Sequence, residues 1–166
     1  MDVYTKPTLT SALLIATACL GCDDGWQAET YPAAGSLFIN GQPAENALVQ
    51  LDAAEKEVDV RDSRPWALVQ PDGSFTLSTY ARGDGAPAGE YRVIITWPPN
   101  PHVMSHADRL GRQFDTPEES RWRVTIHEGE NKLDPIRLTN VPVKKMPKQP
   151  TGARSTKSAG PAQSSP

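Results

Sequence analysis

The sequence predicts an all-β protein built as a single small antiparallel β-sandwich of about seven strands with disordered tails. Three observations support this fold class. Short segments in which apolar and polar residues alternate recur between residues 31 and 138, and turns containing glycine or proline separate them. In addition, no long stretch has the 3.6-residue period of an amphipathic helix. Many short strands at turn-punctuated spacing are typical of two packed sheets. We therefore place the sandwich at residues 31–140.

The strands and turns can be placed in order along this region. The Asn-Gly pair at 40–41 and Pro-Asp-Gly at 71–73 predict turns, because Asn and Gly accept a positive φ and Pro presets φ. Residues 128–131 predict another turn. The prolines at 98–99 end the best strand, because proline cannot donate to a β-ladder. The candidate strands lie at residues 36–40, 47–52, 66–70, 74–78, 90–97, 121–127 and 132–138.

Composition and charge argue against some partners. The chain has 166 residues, 16 of them Pro and 12 Gly, and its hydrophobic fraction of 37% is low for a compact domain. Residues 23–141 carry 11 Lys and Arg against 19 Asp and Glu, and such an acidic region argues against nucleic acid as a ligand. Residues 141–166 are rich in Pro, Ser and Lys and contain no acid. They predict a disordered basic tail, because they cannot bury enough apolar surface to offset the entropy of ordering.

The N-terminal residues 1–21 have the pattern of a bacterial signal peptide. A polar start with Lys6 precedes an apolar run over residues 9–20, which is shorter than the roughly 20 residues needed to cross a bilayer. The run ends in Leu-Gly-Cys at 20–22, which resembles the lipobox of bacterial lipoproteins, although Cys19 stands where that motif has Leu. We expect acylation of Cys22 and a tether over residues 22–30 that anchors the exported domain to a membrane of the cell envelope.

Two alternatives remain open at this site. Cys19 follows two small residues and could itself be the acylated residue. Ala-Thr-Ala at 16–18 also fits the A-x-A site of ordinary secretion, which would release a soluble protein beginning at Cys19. The C-x-x-C spacing of Cys19 and Cys22 could serve redox or metal chemistry, but its position inside an apolar leader favours the export interpretation.

Several short motifs occur in a particular order and spacing along the chain: Gly35 with its following strand, then the segments 40–43, 47–49, 71–75, 79–91, 108–110 and 128–131. Through these motifs roughly two thirds of the chain, residues 31–138, resembles the carboxypeptidase regulatory-like domains. These domains have a transthyretin-like (prealbumin-like) sandwich and occur in many small lipoproteins of planctomycete-type bacteria. The resemblance implies a prealbumin-like or Ig-like sandwich. Within the motif at 79–91, we expect Tyr91 to bury its ring and return its hydroxyl to upstream backbone, like the tyrosine corner of sandwich folds.

Residues suited to chemistry are few. His102 and His106 have the four-residue spacing of helical zinc sites, with Asp108 as a third candidate, but nearby prolines oppose a helix. Asp84 lies between two glycines and could offer calcium one carboxylate, although calcium needs several oxygens. No serine lies in a G-x-S-x-G sequence, and the acid pair at 118–119 is expected on the surface. The transthyretin-like family includes a hydrolase with a Tyr-Arg-Gly-Ser motif, and this sequence does not contain that motif. We therefore predict no catalytic residue, no metal and no cofactor.

The aromatic residues suggest a second function. Four tryptophans, Trp26, Trp66, Trp97 and Trp122, could stack on sugar rings if several shared an exposed face, although large aromatics on strands usually pack in the core. An exposed, coplanar Trp66 and Trp122 would favour carbohydrate binding. The sequence thus predicts a non-catalytic, lipid-anchored structural or protein-interaction module of the cell envelope. Its partner is an unidentified envelope protein or glycan, and carbohydrate binding is the alternative function.

Overall fold

The computed structural model describes residues 25–101 and 106–145, which form strands and turns and contain no helix. The all-β sandwich predicted from the sequence is confirmed. The strands in chain order are β1 (Thr30–Tyr31), β2 (Ala33–Ile39), β3 (Gln42–Pro43), β4 (Leu48–Ala53), β5 (Trp66–Leu68), β6 (Ser74–Thr76), β7 (Ala86–Pro87), β8 (Gly89–Thr96), β9 (Arg123–Ile126), β10 (Asn131–Lys132) and β11 (Ile136–Leu138).

The first sheet is organised around β2, whose two edges are both paired. Strands β6 and β3 pair antiparallel with one edge, where the backbone of Ala33 and Leu37 bonds to Leu77 and Gly73. Strands β10 and β11 pair in parallel with the other edge. The turn at 40–41 joins β2 to β3, and both of its residues have positive φ, as the Asn-Gly pair predicts. One strand therefore joins the N-terminal and C-terminal parts of the fold.

The second sheet is antiparallel and has the order β5-β4-β8-β9. Its longest ladder joins β4 to β8, from the pair Leu48 and Thr96 to the pair Ala53 and Tyr91. A separate two-stranded ladder joins β1 to β7. Strand β5 lies at the edge of this sheet, but Trp66 also forms a bridge with Ser78, which follows β6 of the first sheet. The β5–β6 hairpin thus connects the two sheets.

The core lies between the sheets and is filled by alternate residues of the long strands, as period-2 patterning requires. Gly35 in β2 makes room for the Phe75 ring, because a Cβ at Gly35 would lie 2.6 Å from Phe75 Cζ. The buried hydrophobic cluster consists of Ala33, Leu37, Ile39, Ala44, Ala47, Val49, Leu51, Ala67, Val69, Phe75, Leu77, Ala86, Tyr91, Val93, Ile95, Trp97, Leu110, Phe114, Ile126, Ile136 and Leu138.

Part of the segment between β8 and β9, which lies between the predicted strands at 90–97 and 121–127, packs in the core. Leu110 and Phe114 are buried. The N–H of Ile95 donates to the Phe114 carbonyl over 2.8 Å, and the N–H of Val93 donates to the Trp122 carbonyl over 3.0 Å. The chain therefore continues along β8 before β9 begins, which extends the sheet past its regular ladder.

Residues outside the predicted limits of 31 and 140 also contact the domain. At the N-terminal side, Trp26 packs edge-on against Tyr80, and the N–H of Ala28 donates to the Tyr80 hydroxyl over 3.0 Å. At the C-terminal side, the N–H of Lys144 donates to the Arg109 carbonyl over 2.8 Å, and Val141 and Val143 pack against the core cluster. Residues 26–30 of the expected tether and 141–144 of the expected tail are thus held to the sandwich.

The strand prediction differs from the structure in number and direction. About seven antiparallel strands were expected, whereas the described residues form eleven, several of them only two residues long. The predicted strand at 132–138 is interrupted by Pro135 into β10 and β11, both parallel to β2. A proline has no N–H to donate, so the ladder breaks there and resumes with Ile136.

The expected tyrosine corner is confirmed. Tyr91 in β8 is buried, and its hydroxyl donates to the carbonyl of Pro87, four residues upstream, over 2.8 Å. Gly89 lies between them at a φ of 155°, and a Cβ there would be 3.7 Å from the Tyr91 ring. The bond fixes the direction in which the chain enters β8. Burial also raises the pKa of Tyr91 to about 12, since the ionised phenolate would be poorly solvated.

We predict that Tyr91→Phe lowers the free energy of unfolding by about 1–2 kcal/mol, because the buried Pro87 carbonyl loses its donor. Urea unfolding of the variant measures this change. Thr125→Val, which removes an exposed hydroxyl from β9, is the matched control and should leave stability within about 0.5 kcal/mol of the parent. Equal stability of the Tyr91→Phe variant and the parent chain would contradict the corner assignment.

Candidate functional site

Some residues singled out in the sequence lie outside the described part of the chain. These are Cys19 and Cys22 of the proposed anchor, and His102 of the histidine pair. The predicted lipidation at Cys22 and the alternatives at Cys19 stay predictions. Within the described residues, no helix is long and apolar enough to cross a bilayer.

Asp84, considered for calcium, holds a turn. Its Oδ1 accepts the N–H of Thr79 over 2.7 Å, and its Oδ2 accepts the N–H groups of Tyr80 and Ala81, both over 2.9 Å. The neighbouring Gly85 has a φ of 91°, and a Cβ there would lie 1.8 Å from the Tyr31 carbonyl oxygen. In the Gly-Asp-Gly sequence at 83–85, Asp84 thus caps the turn, and Gly85 allows β1 to approach closely.

Asp108 has the same kind of role in the segment after β8. Its side chain is buried and accepts the N–H groups of Trp97 over 2.7 Å, Leu110 over 3.2 Å and Arg112 over 2.7 Å. His106 is exposed beside it at a small cavity of about 180 Å³. Across residues 25–101 and 106–145, no three His, Cys, Asp or Glu side chains are grouped to hold a metal ion.

Three of the four tryptophans are engaged in packing. The guanidinium of Arg109 lies 3.7 Å from the Trp97 ring centre, and that of Arg61 lies 3.7 Å from the ring centre of Trp26. Trp122 packs edge-on against Phe114, with ring centres 5.7 Å apart. Trp122 precedes β9, whereas Trp66 lies on β5 at the opposite edge of the four-stranded sheet. The shared face of Trp66 and Trp122 that would have favoured sugar binding is therefore not present.

Trp66 is the large aromatic that remains exposed among the described residues, at 45% of its surface. It lies in an open groove of about 810 Å³, which we call the Trp66 groove, formed by residues 66–68, Gln70, Thr76 and residues 78–83. Alternation explains its position: Ala67 and Val69 face the core, so Trp66 and its alternate neighbours on β5 face outward. The volume is within the range of small-molecule sites.

A second groove of about 760 Å³ is formed by Ala28, Ala53 and residues 55–60 and 87–91, which follow β4 and begin β8. Its surface is mainly acidic, with Glu55, Glu57, Asp59 and Glu90 against Lys56. Val60 in this groove is 85% exposed. The two open grooves are similar in volume and differ in charge.

A polar cluster, which we call the Trp26 latch, is formed by Trp26, Asp59, Arg61 and Tyr80, and it links Asp59 of the acidic groove to Tyr80 of the Trp66 groove. The Tyr80 hydroxyl donates to Asp59 Oδ2 over 2.7 Å. The other Asp59 oxygen accepts the N–H groups of Arg61 over 2.7 Å and of Ser63 over 3.2 Å. Arg61 in turn stacks on Trp26. The loop after β4, the turn after β6 and the N-terminal segment are thus tied together at one point.

The latch shifts two pKa values in opposite directions. Desolvation alone would raise the pKa of Asp59, but hydrogen bonds from Tyr80, Ser63 and Arg61 outweigh it and lower the pKa to about 2. Burial and the bond to Asp59 raise the pKa of Tyr80 to about 12. At neutral pH Asp59 is therefore ionised and Tyr80 is neutral, as both groups ordinarily are, which is the behaviour of a structural contact.

The outward residues of the groove were not predicted from the sequence, because the strand pattern is recognised by its apolar, inward positions. Gln70, Thr76 and Arg82 are exposed and line the groove. Phe75 and Leu77 are the apolar positions of the predicted strand at 74–78, and alternation turns Thr76 and Ser78 to the opposite face. Applying the same alternation across the turn at 71–73 would have grouped them with Trp66.

We predict that Tyr80→Phe raises the pKa of Asp59 toward its usual value near 3.8, because the carboxylate loses an O–H donor. A folded-state pKa below the unfolded value stabilises the protein above the unfolded pKa, and this stability is lost as the pH falls toward 2. The variant should therefore lose less stability than the parent between pH 4 and 2. NMR titration of the Asp59 carboxyl measures the pKa, and Asp72, held by Ser74, is an internal reference that should not change. A parent Asp59 that titrates near 4 would contradict the latch.

In comparisons with known proteins, no protein-family model matches this chain, and no curated protein matches it in sequence.

Proposed function

We propose that this protein is a non-catalytic module of the cell envelope, exported and anchored to a membrane by a lipid on Cys22, that acts by binding an envelope partner. The leader pattern at residues 1–22 supports export and acylation. The resemblance to carboxypeptidase regulatory-like domains belongs to the same proposal and is compatible with the all-β sandwich and the Tyr91 corner.

The observation that supports a binding role is that three buried or half-buried carboxylates accept hydrogen bonds from the protein itself. Asp84 and Asp108 each accept three backbone N–H groups, and Asp59 accepts a hydroxyl and two N–H groups. A general acid needs a proton to donate, and a general base needs a free lone pair, directed at the substrate. These carboxylates are committed to turns and to the latch, which favours a binding scaffold over an enzyme.

The Trp26 latch supports a defined placement of the anchored domain. Only three residues lie between Cys22 and Trp26, so a lipid on Cys22 would be within about 14 Å of Trp26 even with the chain fully extended. Trp26 is held by Tyr80 and Arg61. An acylated Cys22 would keep the latch end of the sandwich close to the membrane surface instead of on a long flexible tether.

Carbohydrate binding is the second candidate, and one observation favours it. The Trp66 ring is exposed beside polar side chains in an open groove. A sugar ring has an apolar face of C–H bonds and polar hydroxyls at its edge, so it suits a flat aromatic ring with polar neighbours.

We predict that Cys22→Ala abolishes incorporation of an alkyne-labelled fatty acid when the full chain is expressed in a bacterium that processes lipoproteins. Cys19→Ala should retain the label and serves as the matched control, because it removes the neighbouring thiol and leaves the proposed acylation site. Labelling is read by click chemistry, and the mature N-terminus by intact mass. Label lost only in Cys19→Ala, or an unlabelled product that begins at Cys19, would contradict the anchor and support one of the two alternatives.

A further inference from the structure

We infer that the Trp66 groove is a saccharide site that binds a pyranose chain carrying carboxylate groups. The inference deepens the proposed binding function, on which it rests, and names the ligand chemistry of one surface. It is independent of whether Cys22 is acylated, because the groove belongs to the folded sandwich.

The apolar part of the groove suits one face of a sugar ring. Trp66 is 45% exposed, and Leu68, two residues further along the same outward face of β5, is half-buried. The C–H bonds on one face of a pyranose carry partial positive charge, and the face of an indole ring carries the negative part of its quadrupole. A sugar can therefore lie flat on Trp66 while its hydroxyls point along the rim.

The rim supplies hydrogen-bonding groups that the fold leaves exposed. Gln70 and Thr76 lie on opposite arms of the β5–β6 hairpin, and both are exposed. The Gln70 amide nitrogen donates to the Leu68 carbonyl over 3.2 Å, and its amide oxygen can act as an acceptor. The Thr76 hydroxyl can both donate and accept. These groups match the alternating donors and acceptors of ring hydroxyls.

Charge selects an acidic sugar over a neutral one. Among the described residues that line the groove, none is Asp or Glu, and Arg82 is the only charged side chain. Arg82 is exposed and forms no ion pair within residues 25–101 and 106–145. This is unusual in a region, residues 23–141, that has 19 acidic residues against 11 basic ones. A guanidinium presents paired N–H donors that fit a carboxylate.

The carboxylates that contact groove residues are already engaged. Asp84 is held by the N–H groups of Thr79, Tyr80 and Ala81, and Asp59 by the Tyr80 hydroxyl. Every oxygen of these two carboxylates already accepts at least one hydrogen bond, and neither carboxylate forms an ion pair with Arg82. Repulsion from more distant acids is screened beyond about 8 Å at physiological ionic strength.

The groove is pre-formed, which reduces the entropy cost of binding. Trp66 and Ser78 exchange two backbone hydrogen bonds of 2.9 Å each, and Gln70 bonds to the Ser74 carbonyl over 2.8 Å. The turn carrying Arg82 is fixed on both sides, by Asp84 and by the N–H of Gly83 donating to Ser78 Oγ over 2.8 Å. The backbone bonds therefore fix the position of Trp66 relative to the turn that carries Arg82.

The test compares trigalacturonate with its fully methyl-esterified form, which has the same rings without the charges. Calorimetry with the full chain in detergent at physiological ionic strength should show binding of trigalacturonate. We expect Trp66→Ala to weaken it about tenfold through loss of the stacking surface. Arg82→Gln should weaken it about threefold to fivefold, which reduces its affinity to that of the methyl ester for the parent chain. Arg123→Gln, on exposed β9 at the opposite edge of the sheet, is the control and should bind like the parent.

Four results would overturn the inference. These are no detectable binding of trigalacturonate, equal binding of the methyl ester, unchanged binding by a folded Trp66→Ala variant, and Trp66-dependent binding of an envelope protein by a chain that binds neither sugar. Melting curves of each variant establish folding, and Arg82→Gln lies in an exposed turn, so it tests the groove even if Trp66→Ala is unstable. Failure of sugar binding would leave the lipid-labelling result at Cys22 untouched, so the two proposals can fail separately.

Discussion

The constraint on which the fold depends is the double pairing of β2. A strand buried in the middle of a sheet must find partners for the backbone groups on both edges, because an unpaired buried N–H or carbonyl is costly. Here the partners come from four places in the chain: β3 and β6 on one edge, and β10 and β11 on the other. Gly35 in the same strand admits the Phe75 ring, so β2 also determines how the core packs. The first sheet is complete only when the C-terminal strands β10 and β11 are paired with β2.

The surface features follow from this arrangement. Because β6 pairs with β2 in one sheet and β5 pairs with β4 in the other, the hairpin between them must cross from sheet to sheet. Its inward residues enter the core, and its outward residues form the Trp66 groove. The turn after β6 is then held by Asp84, and Tyr80 within it reaches the Trp26 latch. Both the Trp66 groove and the Trp26 latch thus depend on the crossing of the β5–β6 hairpin between the two sheets.

Local sequence was sufficient for the fold class and for much of the strand order. The turns at 40–41 and 71–73 occur where Asn, Gly and Pro predict them, and the strong strand at 90–97 corresponds to β8, Gly89–Thr96. Tyr91 also takes the role that its motif implies. These features depend on φ preferences and period-2 patterning, both of which are properties of a few neighbouring residues.

What could not be read from the sequence depends on contacts between distant residues. Nothing local distinguishes the parallel pairing of β10 and β11 from an antiparallel one, and Leu110 and Phe114 have no regular period to mark them as core. The attachment of Trp26 and Lys144 is likewise formed across more than thirty residues. For the groove, alternation would have turned Trp66 outward, but the crossing that brings Arg82 beside it is a tertiary feature.

Native-state hydrogen exchange of the full chain tests the central role of β2 most directly. If the double pairing organises the fold, the amides of Leu37 in β2 and of Leu77, which bonds to Ala33, should exchange only through global unfolding. The amides of Arg61 and Ser63, bonded to Asp59 in an outer loop, should exchange through local opening and much faster. Exchange of the β2 amides at rates like those of the 61–63 loop would contradict the account.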